Sequence, residues 1–377
     1  MKKVIFDVDG VLLSEERYYD VSALTVWELL YSSQYMGLPG EQELFDAASV
    51  TEGQIAFCRN KVWGNDRLLS YLKAHGLNSN WDMVHVYLIT LIWIMAGEYK
   101  KKSGGEKIEL RFSTIPELQT SGRKLMGLHI PGADEILARW EASFPKDVVG
   151  PAAVHILAEK MQKDFGLPVD WGELQSDFWK IHTDAFQAWY LGDDTYISLR
   201  GRKPYSGGKT GFLKREFPLA PAESILALCH ELKERGYALG IATGRSEKET
   251  EIPFRTFGWY DEFDPLFLAT ASDAVSAQRM FGGDVPDKPD PFIYICAAFG
   301  RKRENFKDYL EGKYRVRPED QVWVCGDSRS DILGAQRAGC RFIGVLTGLE
   351  GESAASMFEE AKVPFVKKVT DILQVLP

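Results

Sequence analysis

Short apolar runs that break off into polar or glycine-containing positions recur near both ends of this chain, whereas apolar residues in its middle recur at helical spacing. Lys3 to Phe6 is nearly all apolar, which predicts a central parallel strand covered on both faces. Further strands are predicted at Tyr237 to Gly244, Leu266 to Ala269, Val322 to Cys325 and Arg341 to Leu346. Between them, Pro221 to Arg235 reads as an amphipathic helix closed by Gly236, and Phe292 to Phe299 as a helix behind prolines. Five strands alternating with helices predict a doubly wound, Rossmann-like α/β fold with a parallel sheet.

In such sheets ligands bind beyond the carboxyl ends of the strands, and that is where the chemically useful residues fall. Asp7 and Asp9 follow the first strand two residues apart, so extended backbone points both carboxylates to one side, and Gly10 allows a tight turn behind them. Asp-x-Asp-Gly is also an ordinary turn, so the pair needs partners elsewhere. Thr243 and Gly244 end the second run with a hydroxyl and a bare backbone amide, a cradle for phosphate. Lys288 sits in Asp287-Lys288-Pro289-Asp290-Pro291, where prolines stiffen the backbone around one cation. Asp327 follows the run ending at Cys325-Gly326, and Asp331 comes four positions later, so both can face one site, although Asp331 also reads as a helix cap.

Taken in order, these segments resemble the motifs of the haloacid dehalogenase superfamily: Asp-x-Asp, a strand-end Thr or Ser, a Lys, and a Gly-Asp-x-x-x-Asp acidic end. Lys288-Pro289-Asp290-Pro291 is typical of its phosphatase-like members. The resemblance covers residues 1 to about 14 and about 216 to 377. It implies that Asp7 is the nucleophile, forming an aspartyl phosphate, and that Asp9 is the general acid for the leaving alcohol and later the base for water. It implies that Thr243 and the Gly244 amide bind phosphoryl oxygens, while Lys288 compensates negative charge and holds Asp7 ionised. A magnesium ion is implied on Asp7, the Asp9 carbonyl and Asp327, with Asp331 as a ligand or as support behind them.

Asp9 narrows the choice, because the dehalogenases and phosphonate hydrolases of the superfamily carry other residues there. The Asp-Lys-Thr-Gly-Thr motif of transport ATPases is absent. The expected function is a magnesium-dependent phosphatase of a small phosphorylated metabolite, such as a sugar phosphate, phosphoglycolate or a nucleotide. A sugar phosphomutase resembles it, with water exclusion deciding between the two. A regulatory protein without turnover is disfavoured because no catalytic position is missing.

More than two hundred residues separate Asp9 from Thr243, while the other motifs are spaced as in a compact α/β domain, so the excess is an insertion. Helices are predicted within it at Val21 to Met36, Glu41 to Ala48, Asp66 to His75, Trp81 to Lys101, Gly132 to Phe144, Pro151 to Phe165 and Asp170 to Leu191. Residues 15–213 thus form an expected helical cap domain, and 1–14 with 216–377 the catalytic core. The Gly- and Lys-rich segment Arg202 to Gly211 reads as a hinge or solvated loop; the sharper alternative puts Arg202, Lys203 or Lys209, and likewise Arg17, on an anionic substrate.

At 377 residues with 45% hydrophobic content, the chain can supply about two domains with cores. A net charge of −9 with only scattered basic clusters argues against nucleic acid as a partner. The longest apolar run, Val84 to Ala96, contains His85, Tyr87 and Thr90 and falls short of the about 20 residues a membrane span needs, so it reads as a buried helix and no membrane partner is expected. A signal peptide beginning at Met1 would remove Asp7 on cleavage, so a cytoplasmic location is expected. Cys58, Cys229, Cys296, Cys325 and Cys340 are odd in number and lack paired metal spacing, which predicts reduced, buried thiols.

Overall fold

The computed structural model describes residues 1–40, 46–77, 79–145, 147–165, 170–348 and 351–377. Its contacts divide into two compact units, one of Met1–Glu16 with Leu213–Pro377 and one of Arg17–Phe212.

The first unit is a parallel sheet of six strands: β1 (Lys2–Phe6), β2 (Ala238–Ala242), β3 (Leu268–Ala269), β4 (Gln321–Gly326), β5 (Arg341–Val345) and β6 (Phe365–Val366), in the order β3-β2-β1-β4-β5-β6. The doubly wound fold expected from the patterning is therefore present, with one strand more than predicted. β6 is only two residues long and half-buried, too short to leave a pattern. The strand expected from Leu266 starts two residues later, because Pro265 and the Asp264 side chain, which accepts from the Leu266 N–H at 2.9 Å, first wind a 3₁₀ turn over Pro265–Phe267.

Alternate residues of the strands enter opposite cores, as the period of two requires. Val4, Phe6, Leu239, Ile241 and Ile343 pack with Leu228 and Leu232 of the helix Ala222–Glu234. Ile5, Ala242, Val324 and Phe342 face the helix Phe292–Phe299 and Ile332 and Ala335 of the helix Arg329–Ala338. At about 1.5–3 kcal/mol for each large side chain fully buried, these two layers dominate the favourable side of folding.

Register carries the chemistry. Phe6 pairs with Ile241 on one side and with Cys325 on the other, so Asp7, Thr243 and Asp327 emerge at nearly the same level. The chain runs from β1 outward through β2 to β3 and then crosses to β4, which makes the end of β1 the point where strand order reverses.

The second unit is helical. Its longest helix, Asn80–Lys102, buries Met83 to Trp93 and packs against Ala133–Ser143, Pro151–Phe165 and Asp177–Leu191. The apolar run expected to be a buried helix is that helix, and among the described residues no helix is long and apolar enough to cross a membrane. Helices at Arg67–Ala74, Ala133–Ser143 and Pro151–Phe165 lie within a residue of their expected bounds.

Three predicted spans are corrected. The first helix is Glu16–Tyr31 rather than Val21 to Met36, since Ser14 Oγ accepts from the Glu16 N–H and the Ser22 and Thr25 hydroxyls bond back to the carbonyls of Tyr19 and Val21. Asp170 to Leu191 is split into a 3₁₀ turn, Asp170–Gly172, and a helix, Asp177–Leu191, whose cap is Ser176. Of the span expected from Glu41 to Ala48, residues 41–45 lie outside the described residues and 46–48 form no helix. Helices at Glu52–Trp63, Ile115–Leu125 and Asp193–Arg200 were not anticipated, although Thr51 and Gln54 form a capping box that is readable in the sequence. All five cysteines are free and buried, as their spacing predicts.

Candidate active site

Asp7 leaves the end of β1 with its carboxylate nearly enclosed. Its Oδ1 accepts from the Val8 N–H at 2.8 Å and from Lys288 Nζ at 2.7 Å, which leaves Oδ2 available. Lys288 is not the solvated lysine its loop position would suggest: its ammonium also reaches Asp331 Oδ1 at 2.8 Å. Asp331 is wholly buried and accepts from Tyr294 Oη at 2.7 Å, from the Ser328 hydroxyl at 2.6 Å and from the Ser328 N–H at 3.2 Å. Four donors on its two oxygens occupy its lone-pair directions, so Asp331 anchors Lys288 as well as capping the helix Arg329–Ala338.

One ligand oxygen each from Asp7, Asp327 and Asp331 lie within 4.8 Å of one another. Asp327 is half-buried between two turns, one at Gly10 and one at Gly348, and a Cβ on either glycine would collide with its carboxylate. The turn after β5 is held there by Thr347, whose hydroxyl donates to the Gly10 carbonyl at 2.7 Å.

The charges do not balance. Burial pushes the Asp7 carboxyl up to about 7; Lys288 opposes this, and Asp331 and Asp9 add to it. Asp327 is pushed well above the carboxylate range by burial and by the negative charges of Asp331, Asp7 and Glu15. For Asp331, burial acts upward too, but the charge and hydrogen bond of Lys288, with the Ser328 and Tyr294 donors, hold it below its ordinary value. Burial works against the charge of Lys288, and the two carboxylates beside it overcome that and raise its pKa. Lys288 thus acts on Asp7 in the direction expected of it, yet is outweighed; three carboxylates around one ammonium are short of positive charge.

Thr243 is wholly buried at the end of β2 and accepts from the Arg245 N–H at 3.1 Å, with its own hydroxyl hydrogen left to donate. Gly244 is exposed, with nothing within 4 Å of where a Cβ would stand. Asp9 keeps 27% of its side chain exposed and is gripped by the Arg245 guanidinium at 2.6 Å. Arg245, Tyr294, Ser328, Thr347 and Gly348 were not anticipated. Arg245 and Ser328 adjoin motif residues in the sequence, whereas nothing in the local pattern around Tyr294 or Thr347 distinguishes them from core and turn residues.

Lys209, Arg202 and Arg17 are engaged within the second unit. Lys209 Nζ is fully buried, donating to Glu28 Oε1 at 2.9 Å and to the Ser206 carbonyl at 2.5 Å, so it is neither a solvated loop lysine nor a reaching one. Arg202 meets Asp184 at 2.7 Å, and Arg17 meets Asp20 at 3.0 Å and Glu52 at 2.9 Å. Lys203 is exposed.

A doubly wound parallel sheet with acidic residues and a half-buried lysine gathered where its strand order reverses defines the class, a Rossmann-like α/β protein with a polar site at its switch point. Residues 287–372 match a family model described as "HAD-hyrolase-like". The phosphoglycolate phosphatase of Pasteurella multocida is 30% identical over 204 residues, 49% of this chain and 79% of that enzyme. The phosphoglycolate phosphatase of Mannheimia succiniciproducens is 28% identical over 159 residues, 39% of this chain and 58% of that one. An X-ray structure solved as a structural-genomics target is 32% identical, with a TM-score of 0.83 over 100% of this chain and 98% of that chain. The chain belongs to the haloacid dehalogenase superfamily, as a phosphatase-like hydrolase.

Proposed function

We propose that this chain is a magnesium-dependent phosphatase of a small phosphorylated metabolite, working through an aspartyl phosphate on Asp7. The observation that carries the proposal is the close set of Asp7, Asp327 and Asp331 around Lys288 at the end of the sheet. An all-oxygen donor set suits a hard dication, and the Gly10 and Gly348 turns hold the Asp327 carboxylate in place for one. Asp7, the Asp9 carbonyl and Asp327 would hold magnesium, with Asp331 behind them fixing Lys288. When bound, the ion supplies the positive charge that the carboxylates lack and that a phosphoryl group needs.

Phosphate monoesters are slow enough to hydrolyse unaided that enzymes reach accelerations of up to ~10²¹, and charge stabilisation with alignment provides most of that. Asp7 Oδ2 attacks phosphorus while Oδ1 stays bound to Lys288 and the Val8 N–H. The Thr243 hydroxyl, the Gly244 amide and Lys288 bind the phosphoryl oxygens through the transfer. Asp9 gives its proton to the leaving oxygen as the ester bond breaks, then takes one from the water that cleaves the aspartyl phosphate. The helical unit, inserted in the chain between Asp9 and Thr243, is the cap domain and sets substrate choice. Phosphoglycolate is the first substrate to try, since relatives carry it in their names.

The test is a panel of phosphorylated metabolites assayed for free phosphate with and without magnesium, coupled to mass analysis of protein quenched during turnover. Free phosphate from at least one ester, lost on chelation and with the phosphoryl group found on Asp7, is expected. A sugar phosphate isomerised with little free phosphate would replace the reading by a phosphomutase. Turnover undiminished in metal-free protein, or an adduct on another residue, would overturn it.

A further inference from the structure

Asp9 is part of a buried ionic chain. Arg245 Nε lies 3.0 Å from Asp9 Oδ1 and 3.1 Å from Oδ2, and one terminal nitrogen, Nη2, lies 2.6 Å from Oδ1. The other terminal nitrogen, Nη1, donates to Glu216 Oε1 at 3.1 Å and to the Glu249 carbonyl at 3.3 Å. The side chains of Arg245 and Glu216 have 0% exposure, against 27% for Asp9.

A guanidinium stays charged and presents its donors in a rigid plane. Bound at its far side by Glu216 and Glu249, that plane has no room to swing, so it dictates where Asp9 points. The grip is also uneven. Oδ1 takes two hydrogen bonds, one of them short, whereas among the described residues Oδ2 takes only the contact at 3.1 Å. Oδ2 is therefore the oxygen with a lone pair to spare.

We propose that Arg245 is the positioning residue of Asp9: it clamps Oδ1 and makes Oδ2 the atom that moves the proton, with Glu216 bracing the guanidinium from behind. The inference rests on the phosphatase reading and deepens it. In the first half-reaction the Asp7–phosphorus bond forms and the ester P–O bond breaks, while the proton on Oδ2 passes to the leaving alcohol. In the second, water bonds to phosphorus, the Asp7–phosphorus bond breaks, and the water proton passes to Oδ2.

The alternative is that Arg245 merely ties the segment after β1 to the segment after β2. The two roles separate on substrates that differ in their need for a proton. Arg245→Lys keeps the charge and loses the fork; with phosphoglycolate and 4-nitrophenyl phosphate as probes, kcat should fall at least tenfold more for the alkyl ester than for the aryl ester, with KM little changed. Because proton transfer contributes typically ~10²- to 10⁴-fold, the loss should approach that of Asp9→Asn, and the double variant should be no slower than Asp9→Asn alone. Glu216→Gln, which leaves Arg245 in place but loosens its brace, should show the same selectivity more weakly and serves if Arg245→Lys does not fold. Equal losses on both esters, or a double variant whose losses multiply, would reduce Arg245 to a structural tie. Failure of the phosphatase reading has a different signature: wild-type protein would carry no phosphoryl group on Asp7, whereas a positioning defect leaves Asp7 loaded by the aryl ester and slow to discharge.

Discussion

In the helical unit the buried cations are matched by carboxylates: Lys209 has Glu28 at 2.9 Å, and Arg17 has Glu52 at 2.9 Å and Asp20 at 3.0 Å, the latter shared with Arg59 at 3.2 Å. At the end of β1 in the α/β unit one ammonium, Lys288, is shared by Asp7 and Asp331, and Asp327 beside them faces like charge. The helical arrangement closes its own account of charge and braces a fold. The α/β arrangement leaves its carboxylates short of positive charge, because buried like charges raise one another's cost of ionisation. Imbalance, rather than burial of charge as such, is what marks a site for a ligand.

The largest effect should come from the unbalanced side. Asp7→Asn keeps the shape and removes the oxygen proposed to attack phosphorus, so release of free phosphate should fall to background. Retention of substantial turnover by this variant would remove Asp7 from the centre of the comparison. Asp9→Asn should cost ~10²- to 10⁴-fold, or ~3 to 5 kcal/mol of barrier, less for an aryl phosphate whose leaving group hardly needs a proton. Full activity of Asp9→Asn on an alkyl ester would be incompatible with the proton transfer assigned to it.

On the balanced side, effects should appear as stability instead. Lys209→Met leaves the Glu28 carboxylate buried without its cation and should destabilise the protein by about 3–5 kcal/mol, read as a lowered Tm. Glu28 keeps its donors from Trp189 at 2.8 Å and Ser206 at 2.5 Å, which favours the lower end. Turnover of an aryl phosphate well below the Tm should persist. A well-folded Lys209→Met protein that cannot turn over would return Lys209 to the substrate, against its buried pairing.

The smallest effect is one of pH. His85 and His182 are wholly buried with their rings joined by a 3.0 Å contact, and His85 also contacts the Gly172 carbonyl at 3.0 Å. Burial lowers His85 to about 4, with the Gly172 carbonyl opposing, and lowers His182 further below its usual value with help from His85. A histidine whose folded pKa is depressed favours the fold above the unfolded pKa of about 6.5, and that contribution is lost as pH falls toward about 4. Acidification over that window should therefore lower stability by on the order of 3 kcal/mol through His85. His85→Leu should shrink the acid-induced drop in Tm; an identical drop in both proteins would remove the histidines from the balance.

Much of the α/β unit was legible because its signals are local. β1, β2, β4 and β5 are apolar runs that stop at polar residues, and the helix Phe292–Phe299 is announced by its prolines, so the fold class followed from one pass along the chain. In the helical unit the strongly periodic helices were equally plain. The helix at Asp193–Arg200 was missed because its burial is sparse: Tyr196 is its buried residue, and no apolar stripe marks it.

Taken alone, the sequence determined which residues end the strands, and with them Asp7, Asp9, Thr243, Asp327 and Asp331, because strand ends and chemical residue types are written one after another; Lys288 was marked instead by the prolines of its loop between two helices. Only the tertiary structure decided how those residues divide the charge among them. That Asp331 is saturated by Lys288, Tyr294 and Ser328, that Asp9 is clamped by Arg245 against Glu216, and that Lys209 is spent on Glu28 all depend on partners 3 to 236 positions away. Electrostatic partnership falls off with distance through space, and distance along the chain does not encode it.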